Sequence, residues 1–332
     1  MGAGHEADRL VVGVDLGGTT FEVGILNRAG ELLAKASYDT PRSDTEPLAL
    51  AAVAAAVHGV LEQAAVKLEH VQGMGVGIPG PVDPQAGVIK QCPNLHELDG
   101  AAAGQVLSEG VGVPAFIGND AYCATLAELR YGGGREVENL VMLTLGTGVG
   151  GGVALGNKVM RGPRQIMGEV GHLIVEPGGR VCGCGNHGCL EAVVGRDGIV
   201  DRVIRLLEQG RASTLEEAMG GDHDRLTPKL VAEAARAGDQ VAMQVMHETG
   251  YFVGIALCAC IVLCDPDLIL IGGGIAAAGD LLFQPMRRTV QHRSRISAFD
   301  VSKIVPAELG NDAGMYGAAA LAWERLDEAG TA

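Results

Sequence analysis

The chain has 332 residues, of which 47% are hydrophobic and 20% charged; at roughly 150 residues per domain this reads as two domains, or one large α/β unit, with enough apolar surface for a core. Acidic residues (40) outnumber lysine and arginine (25), and the net charge of −15 speaks against nucleic-acid binding, which needs clustered basic residues, and against docking on an anionic membrane. Aromatic residues are only 3%, so stacking platforms are scarce, whereas 51 glycines are roughly twice ordinary usage and require an explanation.

In chain order, the first ten residues carry charge and no apolar stretch of a secretory signal, so a reducing cytoplasm is the expected compartment. Leu10 to Asp15 reads as a buried strand, returning as Phe21 to Leu26 after a glycine turn. Leu48 to Glu69 reads as an alanine-rich helix and Val71 to Ile78 as a glycine-diluted strand. Ala115 to Gly118 is a further strand and Ala121 to Tyr131 a helix, with Asn119 or Asp120 placed as its N-cap. Leu140 to Leu145 and Gly151 to Leu155 form a second strand pair. Residues 200 to 224 look like a helical insert. The apolar run Tyr251 to Cys264 is 14 residues long, too short to span a bilayer, and reads as a buried helix whose Cys258, Cys260 and Cys264 behave as small hydrophobes. Asp267 to Ile271 is a late strand and Ala313 to Glu324 a closing helix. The mixture is α/β.

VDLGGTTFEVGIL (Val14 to Leu26) aligns with LTLGTGVGGGVAL (Leu143 to Leu155) at an offset of 129 residues. Both read strand, glycine turn, strand, which suggests two related halves.

Several loops carry chemistry. In DLGGTT, Gly17 and Gly18 let a ligand approach the backbone, Thr19 and Thr20 add hydroxyls, and the turn's N–H groups form an anion-binding concavity. Asp15 is placed to hold Mg²⁺ through water. In LGTGVGGG, five glycines and one threonine have no evident core-packing role, and Gly146, Thr147 and Gly148 are candidates for nucleotide phosphates. In LILIGGGIAAAG, Gly272, Gly274 and Ala277 satisfy the loose G-x-G-x-x-[G/A] pattern, but no second strand or well-placed acid completes a dinucleotide fingerprint. A strand-to-helix turn at Gly273 and Gly274 that lets adenosine lie on the backbone is preferred. IPGPVD brings Gly80, CPNL brings Asn94, and in IGND the carboxylate of Asp120 suits a general base that takes a proton from an attacking hydroxyl.

GEVGH followed by CGCGNHGCLE is the strongest signal. Cys182, Cys184 and Cys189 with one imidazole, from His172 or His187, suit a closed tetrahedral Zn²⁺ site. Such a site has no open position for water, so its expected role is structural, holding Glu169, His172 and Glu191 around a ligand.

DLGGTT, GIPGPVD, GND, GTGVGGG, GEVGH and CGCGNHGCLE together resemble the ROK family of bacterial sugar kinases and repressors, and within it the glucokinases, from about Val11 to Leu321. The resemblance implies the actin-like ATPase (ribonuclease H-like) fold: two α/β lobes around a cleft, the smaller holding residues 1–118 and 313–332, the larger 119–312 with the zinc loop. It implies ATP- and Mg²⁺-dependent phosphorylation of glucose or a similar hexose. Asp120 matches the catalytic base; Asn119, Glu169, His172 and Glu191 match sugar ligands, with Gly80 and Asn94 as weaker candidates. It selects His172 over His187 as the fourth zinc ligand and suggests a homodimer or homotetramer. Family repressors carry a helix-turn-helix before the sugar domain, for which the first strand near Leu10 leaves no room. Arg164 to Met167, before GEVGH, are bulkier than the small residues common in the family, which bears on the sugar accepted. Other hexoses, or polyphosphate as donor, are the alternatives.

Overall fold

The computed structural model describes residues 9–43 and 48–330. They form two units, one of the described residues up to 135 together with those from 308 onward, and one of residues 136–307.

The first unit opens with three antiparallel strands, β1 (Leu10–Leu16), β2 (Thr20–Asn27) and β3 (Leu32–Asp39). Helix α1 (Leu48–Gln63) crosses to β4 (Val71–Ile78), which lies parallel to β1. A short ribbon of β5 (Val82–Asp83) and β6 (Val88–Ile89) and helix α2 (Ala103–Val111) lead to β7 (Ala115–Asn119), parallel to β4. The sheet order is β3-β2-β1-β4-β7. Helix α3 (Asp120–Arg130) follows β7 without a break and packs on the C-terminal helix, Ala313–Glu328. The first boundary expected at residue 118 therefore lies at Arg135: the chain does not leave this unit until α3 has been packed.

The same helix explains part of the glycine excess. A Cβ added at Gly13 would collide with the Met315 carbonyl, one at Gly75 with the Ala318 carbonyl, and one at Gly317 with Cys123. The C-terminal helix thus lies backbone against backbone on β1, β4 and α3, an approach only residues without side chains permit.

The second unit repeats the first sheet. β8 (Leu140–Leu145), β9 (Val149–Leu155) and β10 (Lys158–Val159) run antiparallel, and β11 (Leu268–Gly272) and β12 (Ile304–Pro306) follow in parallel, giving the order β10-β9-β8-β11-β12. The two five-stranded sheets have identical connectivity, an antiparallel meander continued by two parallel strands, which is the actin-like ATPase arrangement. Between β10 and β11 lie α4 (Leu190–Val194), α5 (Arg196–Glu208), α6 (Thr214–Met219), α7 (Pro228–Arg236) and α8 (Gln240–Cys264); α9 (Asp280–Arg293) connects β11 to β12.

Helix α8 starts eleven residues before the apolar run expected and is 25 residues long. It buries one face against α9, where Gly250 and Gly254 admit Leu282 and Thr289. Its C-terminal end is not buried, with Leu263 79% exposed. Cys260 is buried, whereas Cys258 and Cys264 are only half-buried, so the expectation of a fully buried thiol trio holds for one of the three.

Candidate active site

In the first unit, the sequence places Asp15 on β1 immediately before the turn, opposite Glu22 of β2. The turn is closed by Gly17 N–H donating to Thr20 O at 3.0 Å. Its carbonyls are held from outside: Thr40 Oγ1 donates to Gly17 O at 2.8 Å, and Arg42 donates to Gly18 O through Nη2 at 2.7 Å. With its carbonyls so engaged, the turn is stiffened from the side of β3. Neither Thr40 nor Arg42 stood out in the sequence, since nothing in the motif points to them. A Cβ on Gly18 would lie 2.5 Å from Cβ of Asn94, so the CPNL loop packs directly on the turn.

Asp15 is half-buried and its pKa is raised to about 7, chiefly by desolvation and then by the charges of Asp120 and Glu22, with Lys35 opposing. Asp15 also abuts Gly314, where a side chain would overlap the carboxylate. Lys35 bridges Glu22 at 3.0 Å and Asp312. Four carboxylates, Asp15, Glu22, Asp120 and Asp312, therefore share a region with one lysine. Such a donor set fits a divalent cation, whose charge would relieve their repulsion.

Asn119 and Asp120, both candidates for the N-cap of α3, divide the work. Asn119 is the cap: its Oδ1 accepts from Tyr122 N–H at 3.1 Å, and its Nδ2 donates to Gly80 O at 3.1 Å. Gly80 itself takes φ +91°, a conformation that favours glycine. With the N3 donor capped by Asn119, Asp120 stands at the first helical position, where its Oδ1 accepts from Ala121 N–H at 2.8 Å.

In the second unit, the four ligand atoms of His172, Cys182, Cys184 and Cys189 lie within 4.8 Å of one another. Cys182 Sγ is 3.7 Å from His172 Nδ1, and Cys184 Sγ is 3.7 Å from Cys189 Sγ. A zinc–sulfur bond of ~2.3 Å in a tetrahedron sets ligand atoms ~3.8 Å apart. The donor set and its spacing fit such an ion. Burial pushes the Cys182 thiol up to about 12, a cost that metal coordination removes by binding the thiolate. His187 lies outside the cluster, with Nδ1 3.2 Å from Gly179 O. The loop is pinned by bridges Ile174–Cys189 and Val181–His187.

Glu191, on α4 directly after the last of these cysteines, ties the loop to the β8–β9 hairpin. Its Oε2 accepts from Val149 N–H at 3.0 Å and its Oε1 lies 3.7 Å from Cys182 Sγ. A Cβ on Gly148 would fall 2.5 Å from Glu191 Oε2. The hairpin glycines are therefore not all free of packing, as the sequence suggested. Gly148 makes room for Glu191, Gly151 for the Gly168 carbonyl, and Gly273 for the backbone of Leu145. Gly146 and Gly274 have nothing within 4 Å of an added Cβ, and so present open backbone. Gly274 begins a 3₁₀ turn, Gly274–Ala278, and not an α-helix, which agrees with setting the dinucleotide reading aside. Thr147 lies in the hairpin turn beside Gly146, and its carbonyl accepts from Arg196 N–H at 3.3 Å. Glu169 precedes the 3₁₀ turn Val170–His172, and burial raises its pKa.

The ROK family model matches residues 11–325. The glucokinase of Thermotoga maritima is 34% identical over 316 residues, covering 95% of this chain and 98% of that protein. A ROK family glucokinase from Streptomyces griseus, solved in complex with glucose and AMPPNP, is 33% identical with a TM-score of 0.78, covering 95% of this chain and 99% of that one. A ROK hexokinase from Thermus thermophilus is 32% identical with a TM-score of 0.79, covering 96% and 99%. The chain belongs to the ROK family.

Proposed function

We propose that the protein is an ATP-dependent hexose kinase that phosphorylates glucose at its 6-hydroxyl to give glucose 6-phosphate. Near-full-length similarity to proteins named glucokinase supports the substrate. The observation that carries the chemistry is the arrangement at the head of α3: Asn119 caps Tyr122 N–H, and Asp120, whose Oδ1 accepts from Ala121 N–H, lies near enough to Asp15 for the two charges to interact.

Asp120 accepts the proton of the sugar 6-hydroxyl as its oxygen attacks the γ-phosphorus of ATP. Phosphoryl transfer otherwise needs positioning and charge stabilisation. Backbone and hydroxyl donors of Gly17 to Thr20 and Gly146 to Gly148 hold the phosphates, and Gly273 and Gly274 face the adenosine. Asp15 would hold Mg²⁺, and that ion would supply the positive field that a protein of net charge −15 otherwise lacks. Asn94, Asn119 and Gly80, with Glu169 and His172, hold the sugar hydroxyls. His172 turns Nδ1 toward the cysteines, leaving Nε2 for a hydroxyl. Glu191 joins them through Oε1, which a Cys182 held as a thiolate by Zn²⁺ would leave free of a donor. The zinc is structural: four protein ligands leave no site for water. The enzyme works in the cytoplasm as a homodimer or homotetramer.

Replacing Asp120 by Asn lowers kcat by roughly 10²–10⁴-fold, the usual range for a general base, with sugar binding retained. Near-normal turnover would exclude the assignment. A coupled assay across glucose, mannose, fructose and N-acetylhexosamines, with ATP or polyphosphate, identifies the preferred pair.

A further inference from the structure

The second unit contains a cavity that the kinase chemistry does not use. It has a volume of about 390 Å³ and lies between α5 and α8, beside α4. At its wall is Arg202, 8% exposed. One nitrogen of this guanidinium, Nη2, donates to Thr249 Oγ1 at 2.7 Å. Nε and Nη1 are buried and find no acceptor among the described residues. These two nitrogens carry three N–H protons, and leaving buried donors unmatched is costly. Burial draws the Arg202 pKa down to about 10, with Glu248 opposing and Arg205 adding to the fall, so the group is still a cation at neutral pH.

The rest of the cavity is specific in kind. Arg205 lines it one helical turn from Arg202, and Arg180 stands at the edge, paired with Asp201 at 2.8 Å. Glu248 also lines it but is held by Gln244 at 2.9 Å, and Glu176 makes no hydrogen bond to Arg202. These two carboxylates keep Arg202 ionised without satisfying its N–H groups. Also lining it are Tyr251 and Phe252, whose rings meet edge to face with centroids 5.3 Å apart. Two arginines, amide and carboxylate groups and aromatic ring surface lining one cavity match a ligand with an oxyanion head and a hydroxylated body. An oxyanion alone would fill only part of the volume.

We propose that this cavity is a second small-molecule site, separate from the active site, that binds a sugar phosphate with its phosphate on Arg202 and Arg205. The same short helix that forms one wall through Ala192 and Val193 also carries Glu191.

The test uses the full chain and glucose 6-phosphate as the probe, read by hydrogen exchange and by calorimetric titration. Binding slows exchange in residues 198–209 and 244–252. Arg202→Met, which keeps the buried volume, and Arg205→Gln, nearer the surface, each weaken it about tenfold or more. Glu169→Gln, at the proposed active site, leaves the slowing intact, so failure of the kinase reading does not decide this one. Inorganic phosphate competes for the same site with the same dependence on both arginines. Three results would overturn the proposal: protection confined to residues around Asp120 and Glu169, unchanged affinity in both arginine variants, or protection that rises with protein concentration without ligand, which would make a second copy of the chain the occupant.

Discussion

Asp15 shows how one side chain links site chemistry to stability. Its folded pKa of about 7 lies above the ordinary 3.8, with burial the largest cause. Between those two values the folded chain keeps a proton that the unfolded chain has released. Stability from this group is therefore complete below the unfolded pKa and is lost as pH rises through the folded one. At 1.36 kcal/mol per unit the loss is about 4 kcal/mol across the window. Urea midpoints measured without Mg²⁺ should therefore show Asp15→Asn more stable than the native chain at pH 8 and no more stable near pH 4. Parallel pH profiles would remove Asp15 as the source. The sequence marked Asp15 by its place at a strand end, and Asp120 by its place before a helix. It did not decide which of Asn119 and Asp120 caps α3, because either residue satisfies the local rule. The tie from Asn119 to Gly80, 39 residues away in the chain, decides it.

Glycine means different things in different elements, and two substitutions separate them. Gly75 of β4 faces the Ala318 carbonyl of the C-terminal helix. Gly75→Ala forces these apart and should cost about 1–3 kcal/mol, the range for overpacking, seen as a lower urea midpoint. Gly146 has open space around it. Gly146→Ala should leave stability within ~0.5 kcal/mol, as expected away from packed contacts, but should raise the KM for ATP if its backbone faces the phosphates. A stability loss at Gly146 equal to that at Gly75 would refute the distinction. The sequence showed that these segments are rich in glycine and where the β1–β2 and β8–β9 hairpins lie, since buried strands bounded by glycine are strong local signals. It did not show β3, whose inward face is Ala34, Ala36 and Tyr38, none of them fully buried; small, half-buried residues on an edge strand give only a weak alternation. Nor did it reveal α5 to α7 as separate helices, because short helices separated by polar turns give little periodicity.

At the scale of the whole chain, the two related halves suggested by the 129-residue offset each carry a five-stranded sheet of the same order, yet they differ in what is inserted before the fourth strand. The first half has α1 alone, whereas the second has the cysteine loop and α4 to α8. The loop has little apolar packing of its own: its buried cluster is Cys182, Cys189 and Ala192. On the proposed zinc site, its order would come largely from the metal that its four ligand atoms suit, because ligand binding to the folded state is folding free energy. Metal analysis should return about one Zn²⁺ per chain, as one tetrahedral ligand set allows. Removing it with a chelator should speed hydrogen exchange in residues 170–194 and lower the melting temperature of the second unit. Exchange in β1, β2 and β4 should change little, since their core of Val12, Val14, Val23 and Met74 is built entirely within the first unit. Activity should fall with the loop, through Glu169, His172 and Glu191, and return with Zn²⁺. A metal-free preparation with native exchange and full activity would contradict the structural role, and uniform loss of protection across both units would show that the two sheets unfold as one.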